Sequence, residues 1–485
     1  MKGIINMKYK INFNIYGIVN LIIIFISIIC FYFINSSFKS NDVDFLLKIT
    51  GWFANFAFLW CIFSTYKIKK NIFDYNIIFL VFVFLFCNGQ VFLYTLGVNE
   101  SKLSVFVLES KTKIVSAVTY FYYSLLLFHQ GSLLILKNST ERVKTISDDK
   151  CVLAIRRISI LVFIVSIIPY ISTIAPKLIN SIKYGYKYLY ENPNESSGIV
   201  LYFSKMFIPS LLLLLYSYKE SKPISFSIII FLIMISIANL IIGARGSSLS
   251  IVVIIVVFIN TFVKPIKGIA FLKIVALILF IMLIIPIVYK YRGIENKNFD
   301  NFMKTVDEVV HDPNENFVSK TISELGYNMH SFILTKGVVP SQYDYKHGES
   351  YGASVLMIVP SFMLGGFSFA EKAALDTWLQ DTYNMSYGPG FSMFAETYYN
   401  FGWLGGILFA FVLGFFFTKM FNISSSNVNK NSIFNILSFI FLYNELLAAR
   451  YPFHSTIRNV VYMYILLYFL IVTVYSRISK ERYNE

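Results

Sequence analysis

The sequence predicts an all-α polytopic membrane protein with about twelve transmembrane helices and a large outer loop. Three observations carry that prediction. Of 485 residues, 56% are hydrophobic and only 14% are charged, where a soluble chain carries about a quarter charged residues. Apolar runs of about 20 residues recur along the chain, each long enough to cross a bilayer as a helix. The runs are continuously apolar and do not alternate with period two, which excludes a β-barrel.

The runs follow in order. The first, 14–34, comes after Lys8 and Lys10 and ends without a small-residue cleavage site, so it reads as a retained span and not a signal peptide. Spans at 45–66, 75–97, 114–136, 156–176 and 199–218 follow. The runs 224–242 and 247–263 are separated only by Gly243-Ala244-Arg245-Gly246, which predicts a tight re-entry at the membrane surface. After 269–289 comes the outer loop, 290–399, and then spans at 400–418, 432–449 and 457–475. The chain thus divides into a bundle (1–289), the loop (290–399) and a C-terminal set of helices (400–485). Within the loop, Val355 to Ala370 is apolar but broken by Pro360, Gly365 and Gly366, and predicts an interfacial segment. A loop of this length is usually functional.

The formal charge of +15 does not imply nucleic acid. The basic residues fall mainly in alternate short loops, among them Lys67, Lys69, Lys70, Arg156, Arg157, Lys219, Lys222, Lys264 and Lys419. The opposite loops hold Asp42, Asp44, Glu100, Glu109, Glu191 and Glu195. The positive-inside bias then puts both termini in the cytoplasm and the long loop outside. Cys30, Cys61 and Cys87 lie in spans and Cys151 in a loop, with no spacing for a disulfide or zinc.

Four arginines from three regions converge on the predicted outer face: Arg245, Arg292, Arg450 and Arg458. Guanidinium groups beside a bilayer cost desolvation, and their planar fork suits a phosphate or diphosphate. Arg245 lies in Gly243-Ala244-Arg245-Gly246-Ser247-Ser248, where either serine can cap the following helix and create an anion site. Arg292 stands beside Lys290 at the end of a span. Arg450 and Arg458 bracket a short turn containing His454, a candidate base that neighbouring positive charge keeps neutral. The alternative is that these residues anchor the chain to lipid headgroups. Glu396, just before a span, either pairs with an arginine or does acid/base work. His330 is a further candidate base, while His347 and Glu349 show no metal-ligand spacing. No Asp-rich, HExxH, GxSxG or phosphate-loop motif is present, so no metal or cofactor is expected.

Three stretches carry a resemblance: Gly243-Ala244-Arg245-Gly246-Ser247, Gly348-Glu349-Ser350-Tyr351-Gly352 followed by Pro360, and Glu396 through Gly405, which leads into a Gly-interrupted span. With many spans and one late outer loop, the chain resembles the Wzy-type O-antigen polymerases, which join oligosaccharide repeat units of bacterial surface polysaccharide. The resemblance implies a fold similar to other lipid-dependent glycosyltransferases with a helical membrane bundle. It implies undecaprenyl-diphosphate-linked oligosaccharides as substrates at the periplasmic face of the inner membrane, with a chain-length regulator as a partner. By motif position, Arg245 would hold a diphosphate, and Glu396 falls at the matching place in the third stretch. Arg450, Arg458 and His454 enter on physical grounds alone. Rival readings are an O-antigen ligase, which would share fold and arginines, and a flippase or transporter, which should show inverted repeats or deep charges.

Overall fold

The computed structural model describes residues 15–37, 42–136, 149–184, 188, 198–292, 294, 298–311, 316–359, 369–385, 388–423 and 428–481. The expected apolar runs are all helical. They form α1 (Ile15–Ser37), α2 (Val43–Lys69), α3 (Tyr75–Thr95), α5 (Lys111–Leu133), α6 (Asp149–Tyr184), the pair α7 (Gly198–Lys205) and α8 (Phe207–Ser217), α9 (Lys222–Ile242), α10 (Arg245–Phe258) and α11 (Ile269–Arg292). The C-terminal set is α18 (Met393–Phe421), α19 (Val428–Glu445), and α20 (Phe453–Asn459), which runs through a π-helical turn at Val460–Ile465 into α21 (Leu466–Glu481). Short helices fill the rest: α4 (Ser104–Leu108) after α3, then α12 (Phe299–Val310), α13 (Phe317–Gly326), α14 (Met329–Val338), α15 (Glu349–Leu356), α16 (Ala370–Ala373) and α17 (Leu375–Thr382) in the outer loop. No strand occurs among the described residues.

Ten helices among the described residues are long and apolar enough to cross a membrane. The chain is an all-α polytopic membrane protein. The expected run 114–136 falls outside that set, though it is helical as α5, because its sequence mixes polar and aromatic residues. Its place in the bundle explains the composition. Tyr120, His129 and Gln130 are buried there, and each has a partner across a helix seam: Tyr120 meets Thr397 at 2.7 Å, His129 Nε2 meets Ser64 at 2.6 Å, and Gln130 meets Asn20 at 2.9 Å. A helix enclosed by other helices exchanges hydrogen bonds across the seam and need not be uniformly apolar. The run 269–289 lies in α11, whose described apolar stretch is Leu279–Val288.

α5 and α18 form the tightest seam. A Cβ on Gly414 would lie 1.8 Å from the Phe128 carbonyl oxygen, and one on Gly131 would lie 2.0 Å from that of Phe411. Only glycine lets the two backbones approach so closely. By contrast, α1, α6 and α9 leave large apolar side chains such as Phe25, Ile168 and Phe226 exposed, as lipid-facing helices do.

Contacts sort the helix ends into two groups. At one end Lys69 meets Asn422 at 2.5 Å, and Arg156 donates to the Ser217 carbonyl at 2.9 Å. At the other, Gln90 of α3 reaches the Ser323 carbonyl of α13 at 2.8 Å, and Arg245 of α10 pairs with Glu324. The outer loop therefore packs on the end that carries the candidate residues. Of the expected interfacial segment, α15 and the turn through Val359 are described; Pro360 to Ser368 lie outside the described residues.

Candidate functional site

The site grows from a break in α18. Gly402 has φ 70° and ψ −161°, so the helix stops after Phe401 and restarts. The ring of Tyr345 packs where a Cβ on Gly402 would come within 3.0 Å, which closes the position to other residues. A helix end leaves carbonyls without partners. Here the backbone N–H of Lys346 donates to the Tyr399 carbonyl at 3.2 Å, and that of His347 to the Asn400 carbonyl at 2.8 Å. The Asn400 side chain completes the joint. Its oxygen accepts from the Gly348 N–H at 3.1 Å and its amide donates to Ser350 Oγ at 2.7 Å. Two of the stretches singled out in the sequence are thus one interlocked unit.

Glu396 lies in the first turn of α18, inside the helix and not before the span as its sequence position suggests, and is fully buried. Its Oε1 accepts from the Ser350 hydroxyl at 2.6 Å, and its Oε2 accepts from the Phe453 N–H at 2.6 Å. Both are short, charge-assisted bonds. Of the two expected roles, pairing with an arginine is absent among the described residues: the carboxylate instead holds the N-terminus of α20, where the helix dipole favours negative charge. Above it lies Tyr351, whose ring stacks on Phe401 with centroids 6.0 Å apart and an interplanar angle of 7°. Burial, and secondarily the Glu396 charge, push the Tyr351 hydroxyl well above its ordinary value, so it stays a neutral donor.

His454, one residue into α20, is partly exposed. Its Nδ1 lies 3.0 Å from the Ala373 carbonyl. A carbonyl only accepts, so Nδ1 carries the proton and Nε2 keeps its lone pair in the neutral ring. The charges bearing on this imidazole are those of Arg458, Asp376 and Lys205.

The arginines separate into three situations. Arg245 forms an ion pair with Glu324 of α13. Arg292 ends α11, and its side chain lies outside the described residues; its neighbour Lys290 pairs with Glu308 at 2.6 Å. Arg450 and Arg458, both half-buried, form no ion pair among the described residues. The Arg458 guanidinium lies over the Tyr202 ring at 5.4 Å, and its buried Nε has no hydrogen-bond partner. The Arg245 turn sits next to the Arg450 turn: a Cβ on Gly246 would lie 2.9 Å from Leu447, whose carbonyl accepts from the Arg450 N–H at 2.8 Å. The serines after Arg245 do not cap α10. Its N-cap is Ala244 with no side-chain cap bond, and Ser248 instead bonds Ser236 of α9 at 2.6 Å.

His330 is not a free base. Its Nε2 lies 3.1 Å from Glu109, its Nδ1 is buried without a partner, and burial pushes the ring below its ordinary value against the pull of Glu109. His347 is exposed, and Glu349 pairs with Lys372 at 2.5 Å.

The sequence reading passed over Glu445. It is 1% exposed and accepts from Thr456 at 2.6 Å and Asn459 at 3.0 Å, fixing α20 from below. A carboxylate in an apolar run was the available signal. Glu324 carried no such signal, because α13 reads as an ordinary amphipathic surface helix.

One carboxylate caps α20, a second clamps it, and two arginines without an ion pair among the described residues bracket a histidine in the same turn, at the bundle end where the outer loop packs. No curated protein and no solved structure matches the chain. A family profile does: O-antigen polysaccharide polymerase Wzy, over residues 17–482. Since that span is nearly the whole chain, bundle and outer loop together, the protein belongs to the O-antigen polysaccharide polymerase Wzy family.

Proposed function

We propose that the protein joins undecaprenyl-diphosphate-linked oligosaccharide repeat units at the periplasmic face of a bacterial inner membrane, with both termini in the cytoplasm. The orientation rests on charge: Lys67, Lys69, Lys70 and Arg156 lie at one end of the bundle, and Asp44, Glu100 and Glu109 at the other with the candidate site.

In this reading an acceptor sugar hydroxyl attacks the anomeric carbon of the donor glycan. The new glycosidic bond forms as the bond to the donor's lipid diphosphate breaks. The hydroxyl proton passes to His454 Nε2, and undecaprenyl diphosphate leaves with the electron pair. Arg450 and Arg458 stabilise the charge that grows on it, without a metal or other cofactor. Arg245, whose turn packs beside that of Arg450, and Arg292 steady the diphosphate of the second lipid. Glu396 holds the helix that presents His454. It is too deeply buried to meet a sugar in this state, whereas His454 is partly exposed. Holding both lipids in one bundle removes much of the entropic cost of their meeting.

The observation that carries this reading is that Arg450 and Arg458, which form no ion pair among the described residues, bracket in one turn a histidine whose Nδ1–H is committed to the Ala373 carbonyl and on which the Arg458 charge bears, in a chain of this family. Purified protein incubated with lipid-linked repeat units should yield a ladder of polymers. Arg458→Ala and Arg450→Ala should each lower the rate by about 100-fold or more, the usual cost of removing one charge-stabilising donor. Ladders of normal length and rate from both variants would refute the assignment.

A further inference from the structure

A cleft of about 600 Å³ lies between residues 97–104 and α13, on the end of the bundle that carries the candidate site. Small-ligand sites typically measure about 300–1,000 Å³. Most of its lining residues carry polar or charged side chains: Asn99, Ser104, Asn316, Ser319 and Ser323 supply amides and hydroxyls, Lys102 and Lys320 supply ammonium groups, and Val98 and Leu103 add apolar surface. Glu324 stands in the same wall and is the partner of Arg245.

The cleft is preformed. Gln90, only 1% exposed, ties both walls to α3. Its amide donates to Ser104 Oγ and to the Ser323 carbonyl, each at 2.8 Å, and its oxygen accepts from the Val105 N–H at 2.9 Å. Behind it, a Cβ on Gly326 would lie 2.6 Å from the Gln90 nitrogen, so α13 rests directly on the α3 backbone.

The polar groups are also suitably disposed. Asn99 and Asn316 each spend the side-chain oxygen on a local cap, accepting from Ser101 at 3.1 Å and Val318 at 3.0 Å. Each amide nitrogen is a donor that these caps do not use. Ser319 donates to the Asn316 carbonyl at 2.7 Å and keeps its lone pairs. Donors and acceptors side by side match sugar hydroxyls, which need both.

We propose that this cleft is a carbohydrate subsite that takes the sugar chain of a lipid-linked oligosaccharide while its diphosphate meets the neighbouring arginines. The proposal rests on the reading given under Proposed function, and the two fail separately. Ser319 is replaced by Cys in the full-length protein, which is purified and then treated with a bulky maleimide, so that the block is installed after folding. The parent protein, whose Cys61, Cys87 and Cys151 are buried, receives the same treatment as a control. Affinity is measured for undecaprenyl diphosphate bearing the repeat unit and for bare undecaprenyl diphosphate. Blocking should weaken the glycosylated lipid by about tenfold or more and leave the bare lipid unchanged. Unchanged affinity for the glycosylated lipid overturns the subsite and leaves the arginine assignment standing. Equal weakening of both lipids overturns it too, because the blocked cleft would then serve the diphosphate. A doubly substituted Arg450→Ala/Arg458→Ala protein with undiminished affinity for the bare lipid would instead sink the reading on which the subsite depends.

Discussion

In the proposed mechanism His454 and Glu396 divide two tasks: the first takes the proton, and the second holds the helix that presents it. Replacing His454 by Gln keeps a hydrogen bond to the Ala373 carbonyl but removes the Nε2 lone pair. Transfer should slow by about 10²–10⁴-fold, with lipid affinity and thermal stability retained; stopped-time polymerisation and binding assays separate these quantities. Glu396 predicts the opposite pattern. Glu396→Ala leaves the Ser350 hydroxyl and the Phe453 N–H buried without an acceptor, a loss of about 1–3 kcal/mol for each group so stranded. Thermal unfolding should register it, and Glu396→Gln, which keeps one acceptor, should restore part of it. Full stability with abolished transfer in Glu396→Gln would make the carboxylate itself the base. The residue types of this site were legible in the sequence: arginines, a histidine and a carboxylate near predicted span ends. Their pairing was not, because Arg245 meets Glu324 and Glu396 meets Phe453 across separations that no local pattern encodes.

At the scale of elements, the seam between α5 and α18 and the break in α18 set where the site can form. Gly402→Ala places a side chain at φ 70° and against the Tyr345 ring. It should cost about 1–3 kcal/mol for a backbone conformation that only glycine adopts readily, and protease access to the 346–350 segment should rise with it. Gly414→Val drives atoms into the Phe128 carbonyl and should prevent recovery of folded protein from detergent, whereas Gly352→Ala, with nothing near its Cβ position, should behave as the parent. Helix existence was legible here because bilayer thickness imposes a length and an apolar composition that few other structures share. The polar character of α5 was the exception, since a central helix is surrounded by protein and composition alone does not distinguish protein from lipid. The start of α18 was misplaced for a related reason: its first turns are buried under the outer loop, so they are helical without being lipid-facing.

For the whole molecule, the outer loop is fastened to the bundle by polar contacts that respond to pH. The His330–Glu109 pair joins α14 to the segment before α5. Burial lowers the His330 value in the folded protein, so the unfolded chain binds more protons. Stability should therefore be fully present above about pH 6.5 and fall as the pH drops below the unfolded histidine value. Comparing melting temperatures from pH 7.5 to 5, approximately that window, His330→Gln should show a shallower decline than the parent. Equal slopes would mean that the ring titrates alike in the folded and unfolded states. The overall plan of bundle and late outer loop followed from charge alternation and loop length. What the sequence could not convey is that the loop closes onto the bundle at Gly402.

That closure has a further meaning. The bonds that rivet residues 346–348 to the interrupted helix run mainly through the main chain, and main-chain groups are common to nearly every amino acid. Side chains on the water-facing walls can therefore drift freely while the frame stays in register. Such a scaffold can change which glycan it recognises without having to solve its folding problem again.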